Sequence, residues 1–137
     1  MTEIVTVQMS QESKVCLLDQ MDTNELNPKR LLLYAAAKCA GLTLMHIFEK
    51  ERATPKRVEI TISGELSTDK LMPESIFTSF NVIYNVECGS IDEQTKVSRA
   101  VTLTHDKYCG LMRMLRMIAP VSHEIAVVST EPIVTKV

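Results

Sequence analysis

At 137 residues with 45% hydrophobic content, the chain is long enough for one ordinary core and too short for two, so a single domain over 1–137 is expected. A net charge of −2 and a pI near 5.9 leave no electrostatic reason to expect a nucleic-acid partner, which needs a clustered basic face. The N-terminus, Met1-Thr2-Glu3-Ile4, has neither a basic region nor an apolar stretch ahead of Gln8 and Ser10; no secretory signal and a cytoplasmic location are expected.

Ile4 to Val7 and Val15 to Leu18 read as two short strands joined through polar Ser10-Gln11-Glu12-Ser13, a hairpin, and Asp19 to Leu26 is a polar connection. Asn27 suits an N-cap and Pro28 the first helical position, which predicts a helix from Pro28 to about Glu51, roughly 35 Å long. Within it, Leu31 to Phe48 approaches membrane-span length. Lys38 near the middle would cost about 2.5–3.5 kcal/mol in a bilayer and His46 adds to that, so a buried core helix is expected and no membrane partner. Ala35, Ala36, Ala37, Ala40 and Gly41 leave its centre almost without bulk, and a helix this apolar needs partners on more than one side.

Pro55 is expected to end that helix. Val58, Ile60 and Ile62 alternate with polar residues as a strand buried on one face, Gly64 to Glu74 is turn material, and a longer strand follows from Ile76 to Val86 with Ile76, Phe80, Val82, Tyr84 and Val86 on one face. Ser90 and Glu93 form a capping box. Val97, Val101, Thr104, Tyr108, Leu111, Leu115 and Ile118 then make a helical stripe that Gly110 can divide into two helices. Pro120 stops it, Ile125 to Val128 forms a last strand, and a polar tail follows. The order ββ-α-ββ-α(α)-β is an α+β pattern in which nothing demands a parallel pair.

In a reducing compartment the four cysteines, Cys16, Cys39, Cys88 and Cys109, are free thiols, metal ligands or redox groups, not a structural disulfide framework. No CxxC and no histidine cluster accompanies them, so neither a metal nor a cofactor is expected. A cysteine among alanines and leucines is more often a small hydrophobe than a nucleophile, and Cys16 and Cys88, in strand-like runs, read as packed thiols. His46 stands two turns beyond Cys39, too far to be its base, and reads as an interface or core histidine. His105 and His123 read as solvated or capping residues. Met112, Met114 and Met117 read as adaptable core filler that could also soften a pocket for an apolar substrate.

Three local patterns occur in order: Asn27-Pro28 followed by a Leu/Ala-rich helix reaching Ala37-Lys38-Cys39; a strand pair from Val58 to Val86; and His105-Asp106-Lys107-Tyr108-Cys109. Together, from Asn27 to Val128, they resemble the OsmC/Ohr family of thiol-dependent hydroperoxide reductases. The resemblance implies an intertwined homodimer with antiparallel sheets wrapped around long central helices. It implies that Cys39 is the peroxidatic and Cys109 the resolving cysteine, that the substrate is an organic hydroperoxide, and that a dithiol reductant restores the enzyme. The chemistry is coherent: a thiolate attacks the O–O bond, and a second thiol condenses with the resulting sulfenic acid before it is over-oxidised. Peroxidase members support the thiolate with an N-terminal arginine and with a glutamate just after the Asn-Pro. Here Lys29 holds the glutamate's place and no arginine precedes Arg30. The alternative implied by that departure is a non-enzymatic OsmC-like dimer, binding, structural or redox-sensing, with a degenerate site.

Overall fold

The computed structural model describes residues 1–18 and 22–129; the first part of the connection from Asp19 and the polar tail lie outside the described residues. Strands β1 (Thr2–Met9) and β2 (Val15–Leu17) precede a long helix α1 (Pro28–Glu51). Strands β3 (Arg57–Leu66) and β4 (Phe77–Cys88) follow, then helix α2 (Ile91–Leu103), a five-residue π-helical turn (Thr104–Tyr108), helix α3 (Gly110–Ile118) and strand β5 (Val121–Ser129). The strands form one sheet in the order β2-β1-β3-β4-β5.

The expected α+β class holds, with one change in the sheet. β1, β2, β3 and β4 pair antiparallel, but β5 pairs parallel to β4, Phe80 opposite Val121 through Cys88 opposite Ser129. The reason is that α2 and α3 carry the chain back across the sheet, so β5 begins at the end where β4 began. That makes a βαβ unit, and helices alone cannot announce in which direction the next strand runs.

Alternation builds the core. Val5, Val7 and Met9 of β1, Val58, Ile60 and Ile62 of β3, and Phe80, Val82, Tyr84 and Val86 of β4 are buried against the helices. The opposite face carries polar side chains, where Arg57 pairs with Glu59 at 2.6 Å and with Glu87 at 3.4 Å. At the start of β4 the expected phase is off by one. Glu65 pairs with Ser79 but Leu66 with Phe77, so Thr78 is an extra residue in a bulge. Phe77 therefore turns inward and Ile76 outward, to 65% exposure. The Phe77 ring then lies on Gly64, where a Cβ would stand 2.5 Å from it; this strand residue is glycine because of that close approach.

Helix α1 occupies the predicted span. Asn27 Oδ1 accepts the Arg30 amide at 2.9 Å and Pro28 opens the first turn. The helix ends before Pro55, at Arg52, whose left-handed backbone (φ 56°) brings the Ala53 amide onto the Phe48 carbonyl at 2.9 Å. Its inner stripe, Leu33, Ala36, Ala37, Ala40, Gly41, Leu44 and Phe48, is buried, and each of Leu33, Leu44 and Phe48 stabilises the fold by about 1.5–3 kcal/mol. The small residues let the sheet approach: a Cβ on Gly41 would meet Met9 Sδ at 2.5 Å. By length and composition α1 could cross a bilayer, but this stripe packs on the sheet. Its outer side still shows Leu31, Leu32 and Leu42. The Ser90 hydroxyl caps α2 as predicted, accepting the Glu93 amide. The Glu93 carboxylate reaches further than a capping box requires, accepting the Gly89 amide at 3.4 Å and the Thr54 amide at 3.1 Å, and so ties α2 to the exit of α1.

Candidate functional site

The π-helical turn decides which residues of the second helical region face inward. A regular stripe through Val97, Val101 and Thr104 would continue to Tyr108, Leu111 and Ile118. One extra residue in the turn rotates everything after it by about a third of a revolution. Buried positions become Thr104, His105, Cys109, Met112 and Leu115, whereas Tyr108 and Ile118 are exposed. Met114 and Met117 are exposed too, so of the three methionines only Met112 fills the core.

Cys109 ends the π turn and begins α3. Its amide donates to the Thr104 carbonyl at 3.0 Å, its carbonyl accepts the Arg113 amide at 3.3 Å, and its side chain is fully buried. Cys39 lies on α1 beside the buried stripe and is partly exposed. The two sulfurs, 70 residues apart in sequence, stand 3.2 Å apart, with the Cys109 thiol donating to Cys39 Sγ. About 1 Å of travel separates that contact from a covalent S–S distance. Burial pushes the Cys109 thiol up to about 12, opposed by the amides of Met112 and Leu111 at the start of α3 and reinforced by Cys39. Cys109 is thus a protonated donor at neutral pH, and Cys39 is the sulfur that accepts and that solvent can reach.

The other two cysteines are elsewhere. Cys88 is buried and its thiol donates to the Ser90 and Val128 carbonyls, both at 3.6 Å, as a packed thiol should. Cys16 is exposed on edge strand β2, not packed as expected, because Val15 and Leu17 take the core-facing positions of this three-residue strand and Cys16, opposite Gln8, points to the other face.

Two cationic residues of the first turn of α1, Arg30 and Lys29 in the glutamate's place, are engaged with partners other than the sulfurs. The Arg30 guanidinium is committed to buried Glu3 at 3.4 Å and to the Ile4 carbonyl at 2.9 Å. Lys29 Nζ reaches the Met72 and Pro73 carbonyls at 3.3 and 3.4 Å.

Beneath the π turn lies a polar group that the sequence reading did not find. His105, expected in a solvated or capping role, is buried; its Nδ1 is 2.7 Å from the Tyr84 hydroxyl. Its ring stacks on exposed His123 at 4.1 Å, and its carbonyl accepts both terminal nitrogens of Arg116, one at 3.1 Å. Burial, then His123 and Arg116, push His105 down to about 4. Burial and then Cys109 hold the Tyr84 hydroxyl well above the ordinary tyrosine range. The inward parity of Tyr84 was the available signal, since a buried phenol must find a partner. His105, His123 and Asp106 bring ligand-type atoms within 4.8 Å of one another. The Tyr84 hydroxyl already meets His105 Nδ1, which leaves Nε2 as that ring's free nitrogen.

A groove of about 690 Å³ opens between the second half of α1 and the π turn, lined by Leu42, Thr43, His46, Ile47, Leu103 and Tyr108 together with Lys50 and Glu51. Thr43 is one helical turn beyond Cys39 and Tyr108 precedes Cys109, but neither sulfur lines the groove. His46, expected at a core or an interface, is an exposed residue of its wall.

The comparisons with known proteins agree on the family and on the α+β fold. The chain belongs to the OsmC-like protein family, whose model matches residues 21–124. Protein YhfA of Escherichia coli (strain K12) is 27% identical over 103 residues, covering 75% of this chain and 74% of the relative. Among solved structures, a hypothetical protein from Aquifex aeolicus VF5 superposes with a TM-score of 0.59 at 23% identity, covering 93% of this chain and 97% of that one. An organic hydroperoxide resistance protein OsmC from Legionella pneumophila superposes with a TM-score of 0.53 at 18% identity, with the same coverage. At these identities the two structures establish the shared fold.

Proposed function

We propose that the chain is a thiol peroxidase reducing organic hydroperoxides, with Cys39 as the peroxidatic and Cys109 as the resolving cysteine. The observation that carries this reading is the 3.2 Å contact between a reachable sulfur and a buried thiol that donates to it. Cys39 thiolate attacks the O–O bond, becomes a sulfenic acid and releases the alcohol. Cys109 condenses with the sulfenic acid, giving a disulfide and water, and a dithiol reductant restores both thiols. With Arg30 and Lys29 engaged elsewhere, the Cys109 S–H is the group positioned to stabilise the Cys39 thiolate, a role the peroxidases give to arginine. The groove between α1 and the π turn, whose wall carries Thr43 and Tyr108, offers space for the apolar part of a hydroperoxide. The reading includes one domain over 1–137, a cytoplasmic setting and a homodimer. The exposed Leu31, Leu32 and Leu42 of α1 and Met114, Met117 and Ile118 of α3 supply an apolar surface for a second copy.

The test is consumption of cumene hydroperoxide by the purified, fully reduced protein without added reductant. The expected result is about one equivalent consumed per chain, and consumption at the uncatalysed level for Cys39→Ser. Equal consumption by the two proteins would refute the assignment. A non-enzymatic OsmC-like dimer is the second reading, favoured by the engagement of Arg30 and Lys29 away from the sulfurs; absence of consumption by the reduced wild-type protein would select it.

A further inference from the structure

We propose that His105, Asp106 and His123 form a binding site for one divalent ion of the zinc type at the open edge of the sheet. The site lies on residues that the thiol reading does not use, and it stands whether or not the chain reduces hydroperoxides.

The strand register brings the first ligand to the right side of the sheet. His123 stands opposite Val82 in the parallel β4–β5 pair, and Val82 is fully buried against the helices. Val121, Ile125 and Val127, which share the parity of His123 along β5, pack against the core. A histidine therefore occupies the inward row of the strand between two apolar residues. Because β5 is the last strand of the sheet, its ring stays open to solvent. The π turn supplies the other two ligands, with His105 buried and Asp106 exposed. The two rings are 4.1 Å apart between centroids, and one ligand atom from each of the three residues lies within 4.8 Å of the others.

Two imidazoles and a carboxylate are a donor set that zinc and its first-row neighbours accept, with water completing the coordination. Zinc takes such nitrogens and oxygens at about 2.0–2.2 Å, which sets ligand atoms about 3.3 Å apart in a tetrahedron. The three atoms here need to close by no more than about 1.5 Å, and rotation of the exposed Asp106 and His123 side chains supplies that movement. His105 is the fixed member. The Tyr84 hydroxyl, 2.7 Å from Nδ1, accepts the hydrogen of the neutral tautomer that leaves the Nε2 lone pair to a metal. Ligating histidines are oriented in this way by a partner on the second ring nitrogen. Arg116 is a cation nearby, but its guanidinium is bonded to the backbone carbonyl of His105 and the Asp106 carboxylate offsets its charge. An ion held by the three residues would tie β5 to the π turn, the turn that ends at Cys109.

The test uses the untagged, reduced chain carrying Cys39→Ser, which breaks the thiol pair and leaves the cluster intact. Titration with Zn2+ in a calorimeter should show one equivalent bound with a Kd of about 10 µM or below. His123→Ala and Asp106→Asn, altered only at exposed side chains, should each weaken binding by about tenfold or more. Tyr84→Phe keeps all three ligands and should weaken it by about tenfold, because the His105 ring loses the partner that orients it. His46→Ala removes the remaining histidine of the chain, outside the cluster, and should bind like the parent. Saturating Zn2+ should raise the unfolding midpoint of the parent and leave that of His123→Ala in place. With Co2+ as the probe, the visible bands should appear without sulfur-to-metal charge transfer. Absence of binding at about 0.1 mM Zn2+, an affinity unchanged in His123→Ala and Asp106→Asn, or a charge-transfer band reporting a remaining cysteine as ligand would overturn the site.

Discussion

Cys109→Ser is expected to react once with an organic hydroperoxide and then to be lost to over-oxidation. Its Cys39 should form the sulfenic acid, since the attacking sulfur is intact and partly exposed. The group that would trap that acid, 3.2 Å away in the wild-type protein, is then an alcohol that cannot make a disulfide. With excess hydroperoxide the sulfur should proceed to the sulfinic level, which thiol reductants do not reverse. Intact mass spectrometry checks this as a two-oxygen increment on the peptide bearing Cys39, absent from the wild-type protein under the same treatment. A variant that remains unoxidised, or that turns over with dithiothreitol as fast as wild type, would show that Cys109 does not resolve the reaction.

The second large effect is on stability and comes from His105. Its ordinary value is 6.5 and the folded environment pushes it down to about 4, chiefly by burial. Between those limits the unfolded chain binds a proton that the folded chain refuses, so stability is full above pH 6.5 and falls as the pH drops toward 4. The contribution is on the order of 2 kcal/mol. Urea unfolding at pH 7 and at pH 4.5 should show the wild-type protein losing about that much more than His105→Gln. Equal losses in the two proteins would mean that this histidine is not held neutral in the fold. At the alkaline end the sign reverses in origin: the raised Cys109 value removes stability as the pH climbs from 9 toward 12.

What the sequence disclosed and what it withheld divide along physical lines. The cap and first turn of α1 were readable in Asn27-Pro28, and period-two alternation identified the inward faces of β3 and β4, because these signals act within a few residues. Two single-residue irregularities were not readable. The bulge at Thr78 exchanges Ile76 for Phe77 on the inner face, and the π turn exchanges Tyr108 and Leu111 for Cys109 and Met112. Both conserve composition and leave the local pattern plausible in either phase. The parallel direction of β5 was hidden for another reason, since it depends on where α2 and α3 deliver the chain. The cysteine pair is the instructive case. On periodicity alone Cys109 stands outside the expected stripe, and the resemblance to a family, not the pattern, singled it out. The π turn is what brings the two sulfurs together. The Tyr84–His105 pair went unseen because the helical stripe, read without the turn, left His105 facing water.

The most direct measurement of the central claim is peptide mapping of the protein after one equivalent of organic hydroperoxide, with free thiols blocked before digestion. A single intrachain bond between Cys39 and Cys109 is predicted, with Cys16 and Cys88 free. The sheet order sets β2 and β4 three strand spacings apart, about 14 Å, which is beyond the reach of any disulfide within one chain. Recovery of Cys39 and Cys109 as separate blocked thiols, or of a bond that joins either of them to Cys16 or Cys88, would contradict the account.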